Sequence, residues 1–185
     1  MDKQKALDKI AKEIENCRLC KKDSIGKAVV GEGSPNAKIM FVGEAPGKKE
    51  AESGRPFIGR SGQFLRSQIA EIVLQTDDVY ITSPVKYLPK RGIPTSAQIA
   101  HGRTHLVKQL EVIKPEFVVL LGRVAAEGVL NKKVFVMKEH GKIIDIQNGA
   151  KYFLTLHPAA VLRFQKNKPF FVEDFKKLKS KLSDL

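Results

Sequence analysis

Four apolar runs of strand length punctuate the chain: IMFVG from Ile39, VYIT from Val79, FVVLLG from Phe117 and YFLTL from Tyr152. Their β-branched and aromatic content suits extended backbone buried on both faces. Helical patterns lie between them. Leu65, Ile69 and Ile72 share one face after the first run, and Ile99, Leu106, Leu110 and Ile113 do so after the second. Thr95 with Gln98 three residues on, just past Pro94, reads as a capping box opening the latter helix. RVAAEGVL from Arg123 is a short helix candidate, and Lys142 to Ile146 an extra strand. Further helices close the ends, with Leu7, Ile10 and Ile14 at the front and Phe171, Phe175, Leu178 and Leu182 at the back. Alternating strand and helix predicts an α/β fold with a largely parallel sheet covered on both faces. No repeat, linker or low-complexity tract divides the 185 residues, so one domain spanning 1–185 is expected.

This topology directs attention to the strand exits, because open parallel sheets bind ligands beyond the carboxyl ends of their strands. The exits are GEAPG at Gly43, ThrSerPro at Thr82, GlyArg at Gly122 and HisProAla at His157. Charge suggests what arrives there. Lys and Arg number 33 against 20 Asp and Glu, a net charge of +13, which favours a polyanionic partner. No run approaches the ~20 apolar residues of a spanning helix, and the acidic residues in MDKQKALDKIAKEIENC do not suit a signal peptide. A nucleic acid suits that charge better than a membrane does, two cysteines suggest the cytoplasm, and a monomer is expected.

Several residues at these exits can do chemistry. Glu44 follows the first strand among small residues, and Glu50 lies six further on; paired carboxylates can position water. Phe57, in GRPFIG, offers a stacking face or anchors its loop. His157 can donate to a developing anion or simply cap a helix, and Arg163, after Leu162, can reach a phosphate or wedge into a strand. Cys17 and Cys20 form CxxC, a metal half-site or a thiol pair. His101 and His105 stand at HxxxH spacing on a helix face opposite its apolar stripe, where burial in the core is not expected. The two pairs make a tetrahedral zinc set if the N-terminal segment lies over that helix; otherwise they are free thiols and solvated imidazoles.

Taken together, GEAPG, GRPFIGRSG from Gly54, VYITSPVK from Val79, IKPEFVVLLG from Ile113 and HPAAVLR from His157 resemble the family 4 uracil-DNA glycosylases over nearly the whole chain. The resemblance implies a three-layer α/β/α sandwich around a four-stranded parallel sheet. It also implies base excision: hydrolysis of the bond joining uracil, or another deaminated base, to deoxyribose after the nucleotide has been rotated out of the helix. By the same matching, Glu44, Glu50 and His157 would be catalytic. Gly43, Ala45, Phe57 and Ser83 would contact the base, and Lys86, Leu162 and Arg163 the DNA.

This chain departs from the family at three positions. Ser83 stands where the family usually has Asn, so a hydroxyl replaces an amide at the base edge. The family's 4Fe–4S cluster uses four cysteines; Cys17 and Cys20 match two, while the other two positions hold Tyr87 and His101. A conventional cluster is therefore not expected, no cofactor is required for catalysis, and the Cys17, Cys20, His101 and His105 set either binds zinc or packs without metal. A non-catalytic binder of damaged or single-stranded DNA is the alternative function. An enzyme of free nucleotides is disfavoured, because the chain lacks a phosphate-loop pattern.

Overall fold

The computed structural model describes residues 2–72 and 78–182. In chain order the helices are α1 (Lys3–Asn16), α2 (Arg18–Lys21), α3 (Lys48–Ser53), α4 (Arg60–Ile72), α5 (Ser96–Ile113), α6 (Arg123–Leu130), α7 (Val136–Glu139), α8 (Pro158–Arg163) and α9 (Lys168–Leu182). The strands are β1 (Ser24–Ile25), β2 (Glu32–Gly33), β3 (Ile39–Val42), β4 (Val79–Thr82), β5 (Leu88–Pro89), β6 (Phe117–Leu121), β7 (Lys142–Gln147) and β8 (Ala150–Thr155). The main sheet runs β2-β4-β3-β6-β8-β7. Its inner four strands are parallel, as expected, and an antiparallel strand extends each edge. A separate antiparallel pair joins β1 to β5.

Alternation along the strands builds the three layers. Met40, Val42, Val118, Leu120 and Leu154 face one core with Ile14 and Leu106, whereas Phe41, Val119, Leu121 and Phe153 face the other with Leu65, Phe171 and Phe175. Both faces are therefore covered, which is why the inner strands read as continuous apolar runs. The capping box forms as its residues dictate: the Thr95 side chain accepts from the Gln98 amide, and the Gln98 side chain accepts from the Thr95 amide. No helix among the described residues is long and apolar enough to cross a membrane.

Candidate active site

A cavity of about 410 Å³ opens at the carboxyl ends of the parallel strands. Glu44 and Ala45 line it from the β3 exit, Ser83 from the β4 exit, Phe57 from the loop before α4, and His157 and Arg163 from the β8 exit and α8. Sequence reasoning brought these groups together, and the fold does so.

Phe57 is held firmly. Its backbone sits at φ 52°, a left-handed conformation unusual for an aromatic residue. Arg66 sustains it, with Nε donating to the Phe57 carbonyl at 3.0 Å and Nη2 to the Pro56 carbonyl at 3.0 Å. Glu32 in turn binds both Arg66 and Arg55. The ring covers Gly43 so closely that a Cβ there would lie 2.4 Å from Phe57 Cζ, so only glycine fits. Beside the Phe57 ring stands His157, with ring centroids 6.3 Å apart and planes tilted by 35°. Strain held by its surroundings at a pocket wall is a signature of functional positions.

His157 is the N-cap of α8, where Nδ1 accepts from the Ala159 amide at 3.2 Å. An accepting Nδ1 carries no proton, so the proton of the neutral ring resides on Nε2. The ring is partly open to the cavity and otherwise enclosed, and burial lowers its pKa to about 4. Gly122 gives its backbone room: at φ 86°, a Cβ there would lie 3.1 Å from the His157 Cβ.

The two glutamates differ in their attachments. Burial raises the pKa of Glu44, with the Arg123 charge opposing. Glu50, on α3, accepts through Oε1 from the Ile58 amide at 2.9 Å and the Gly59 amide at 2.7 Å. That oxygen is committed to the loop carrying Phe57. Ser83 is buried, and its hydroxyl donates to the Val85 carbonyl at 2.8 Å. Leu162 is half-buried on α8, while Arg163 is exposed, with its guanidinium over the Phe164 ring.

Lys86 requires a correction. Expected to reach DNA, it is 1% exposed, and its ammonium donates to Thr82 Oγ1 at 2.7 Å, Gln109 Oε1 at 2.8 Å and the Val30 carbonyl at 3.3 Å. Three acceptors match its three N–H groups, so it braces the β4 exit from inside instead of touching phosphate. Burial lowers its pKa to about 7. The partner that draws it inward, Gln109, comes from α5 and leaves no local sequence signal. Arg66, Glu32 and Gln109 are site-shaping residues that sequence reasoning missed; GRPFIGRSG signalled the loop but not its clamp.

A second cluster lies away from this pocket. The ligand-capable atoms of Cys17, Cys20, His101 and His105 all lie within 4.8 Å of one another, a group able to hold a metal ion. His105 is buried at 7% exposure, contrary to the expectation for its face of α5, because α1 and α2 pack over that helix. Burial pushes the Cys20 thiol up to about 12. Tyr87, at a position where the family's cluster would need cysteine, is buried and donates to the Glu15 carbonyl at 3.4 Å. These residues do not supply four thiolates.

Parallel strands whose exits carry a half-buried carboxylate and an imidazole, with an aromatic ring from the loop before α4 beside them, define the class: an α/β protein with a polar and aromatic pocket at its strand exits. The family model for the uracil DNA glycosylase superfamily matches residues 30–179. A type-4 uracil-DNA glycosylase of Archaeoglobus fulgidus is 36% identical over 94% of this chain and 92% of its own length. Those of Sulfurisphaera tokodaii and Thermotoga maritima are 37% and 34% identical, covering 94% and 96% of this chain and 84% and 95% of their own lengths. The chain belongs to the uracil-DNA glycosylase superfamily, in its type-4 branch.

Proposed function

We propose that this protein excises uracil from DNA by hydrolysing the N-glycosidic bond of a flipped-out deoxyuridine, leaving an abasic site. The observation that carries the reading is the pairing of Phe57 with His157 in the lining of one cavity, the His157 Nδ1 being engaged as an acceptor so that the proton of the neutral ring lies on Nε2. As the bond breaks, its electron pair passes to the base, which becomes an anion, while the sugar becomes cation-like. His157 Nε2–H donates to the base oxygen where that charge collects, and a preorganised donor of this kind contributes roughly 3–4 kcal/mol. A neutral imidazole suits the role because its proton is present without a positive charge having to be buried beforehand. Glu44 holds the water that adds to the sugar carbon and takes its proton, a role its raised pKa favours. Phe57 stacks on the base, against Gly43 and Ala45.

Two assignments shift from the sequence-based expectation. Glu50 is a positioning residue that fixes the Phe57 loop through the Ile58 and Gly59 amides. Ser83 gives its proton to Val85, so it presents an oxygen that accepts the imide N–H of uracil but donates nothing to the neighbouring carbonyl. Exposed cations beside the mouth, including Lys48, Arg60 and Arg163, bind flanking phosphates. No cofactor enters these steps.

The test is alkali-revealed cleavage of labelled oligonucleotides carrying one uracil, hypoxanthine or xanthine, single-stranded or opposite guanine. Cleavage at uracil is expected. Binding without cleavage at any base would identify a non-catalytic DNA binder, and cleavage only at hypoxanthine or xanthine would show that Ser83 has changed the substrate.

A further inference from the structure

We infer that Cys17, Cys20, His101 and His105 form a structural Zn²⁺ site in place of an iron–sulfur cluster, clasping the N-terminal helices to α5. The inference is independent of the glycosylase reading, because none of the four residues lines the pocket at the strand exits.

Two thiolates and two imidazoles are a donor set typical of structural zinc and neutralise its charge, which suits a partly buried site. A four-iron cluster held by protein thiolates would require two further cysteines, and the chain has only two.

Geometry agrees with chemistry. Zn–S bonds of about 2.3 Å and Zn–N bonds of about 2.0–2.1 Å put tetrahedral ligands roughly 3.3–3.8 Å apart. Here Cys17 Sγ lies 3.1 Å from His101 Nε2, and no pair among the four atoms exceeds 4.8 Å. Small side-chain rotations therefore enclose one ion. The Cys20 amide already donates to Cys17 Sγ at 3.4 Å, an outer contact that steadies a thiolate.

The independent observation is His105. It is buried, yet neither ring nitrogen has a hydrogen-bond partner among the described residues. Leaving buried polar atoms unpaired is costly, so such an atom aimed into a cluster of metal-ligating groups implies a missing partner. A zinc ion supplies it. Tyr87, turned to the α1 backbone, leaves the fourth coordination position to His105, one turn beyond His101 on α5.

The effect is mechanical. α1 buries Leu7, Ile10 and Ile14, and α5 carries Gln109, which holds Lys86 and Thr82 beneath the pocket. A zinc clasp fixes one helix on the other without entering the pocket.

The experiment begins with metal analysis of protein purified anaerobically from cells supplied with both iron and zinc, followed by Co²⁺ titration of the metal-stripped chain. The expected results are about one zinc per chain, negligible iron, and cobalt spectra with tetrahedral d–d bands and thiolate charge transfer. His105→Gln and Cys20→Ser should each weaken Co²⁺ binding more than about 100-fold, exceeding the effect of losing an outer-shell contact. Should a variant fail to fold, protection of both wild-type thiols from alkylation by Zn²⁺ gives the same answer. Several irons per chain, two freely alkylated thiols in zinc-saturated protein, or cobalt spectra unchanged in both variants would overturn the inference.

Discussion

The pocket at the strand exits and the cluster beneath the N-terminal helices are built on opposite plans. In the pocket, key side chains are held by other parts of the protein: His157 by the Ala159 amide, Glu50 by two loop amides, Ser83 by Val85 and the Phe57 backbone by Arg66. In the cluster, thiol and imidazole groups converge on one another, and neither ring nitrogen of the buried His105 has a hydrogen-bond partner among the described residues. A site prepared for substrate holds its groups before anything arrives, as preorganised catalysis requires. A site prepared for an ion leaves its ligands facing a common centre. On the reading proposed above, the pocket carries the chemistry and the cluster the fastening.

The sharpest way to break that division is at His157. His157→Ala is expected to lower the single-turnover excision rate on uracil DNA roughly 100- to 1000-fold, with DNA affinity nearly unchanged. Equal losses in rate and affinity would make the residue a structural cap. Phe57→Ala should cost less, roughly ten- to hundredfold in kcat/KM from the lost stack, read in the same assay. Lys86→Met should cost about 1–3 kcal/mol in denaturant unfolding, because Gln109 and Thr82 lose a buried partner, while the salt dependence of DNA binding stays the same. A shallower salt slope would return Lys86 to the DNA surface. Arg163→Gln should give the smallest effect, a few-fold loss of affinity and a salt slope reduced by about one phosphate contact.

A pH profile tests the protonation state of His157. With its pKa depressed to about 4, His157 remains neutral from pH 8 to 5, so its contribution to the excision rate should stay level across that range. Its stability effect has a definite sign. The unfolded histidine takes up a proton near pH 6.5 and the folded one only near 4, so stability is lost as pH falls between those values. An imidazole NMR titration of His157 centred near 6.5 would contradict the enclosed neutral ring.

The parallel strands and long helices were legible because burial on both sheet faces writes uninterrupted apolar runs, and amphipathic helices write spaced ones. The capping box at Thr95 and Gln98 was equally plain, being local chemistry. The two-residue strands β1, β2 and β5 were not, since two residues carry no period. At the site, residue types following strands marked Glu44 and His157, the GRPFIG loop marked Phe57, and the family resemblance marked Ser83. What stayed hidden depended on distant partners. Lys86 looks like a surface cation until Gln109 meets it, the Ile58 and Gly59 amides that engage one oxygen of Glu50 lie eight and nine residues along the chain, and His105 looks solvated until α1 and α2 cover it.

The most direct measurement of the division between pocket and clasp is single-turnover uracil excision by His157→Ala and Cys20→Ser side by side, at a temperature where circular dichroism shows both folded. The expected rates are within about threefold of wild type for Cys20→Ser and at least about 100-fold lower for His157→Ala. Comparable losses in the two folded variants would contradict that division, by making the cluster part of the chemistry.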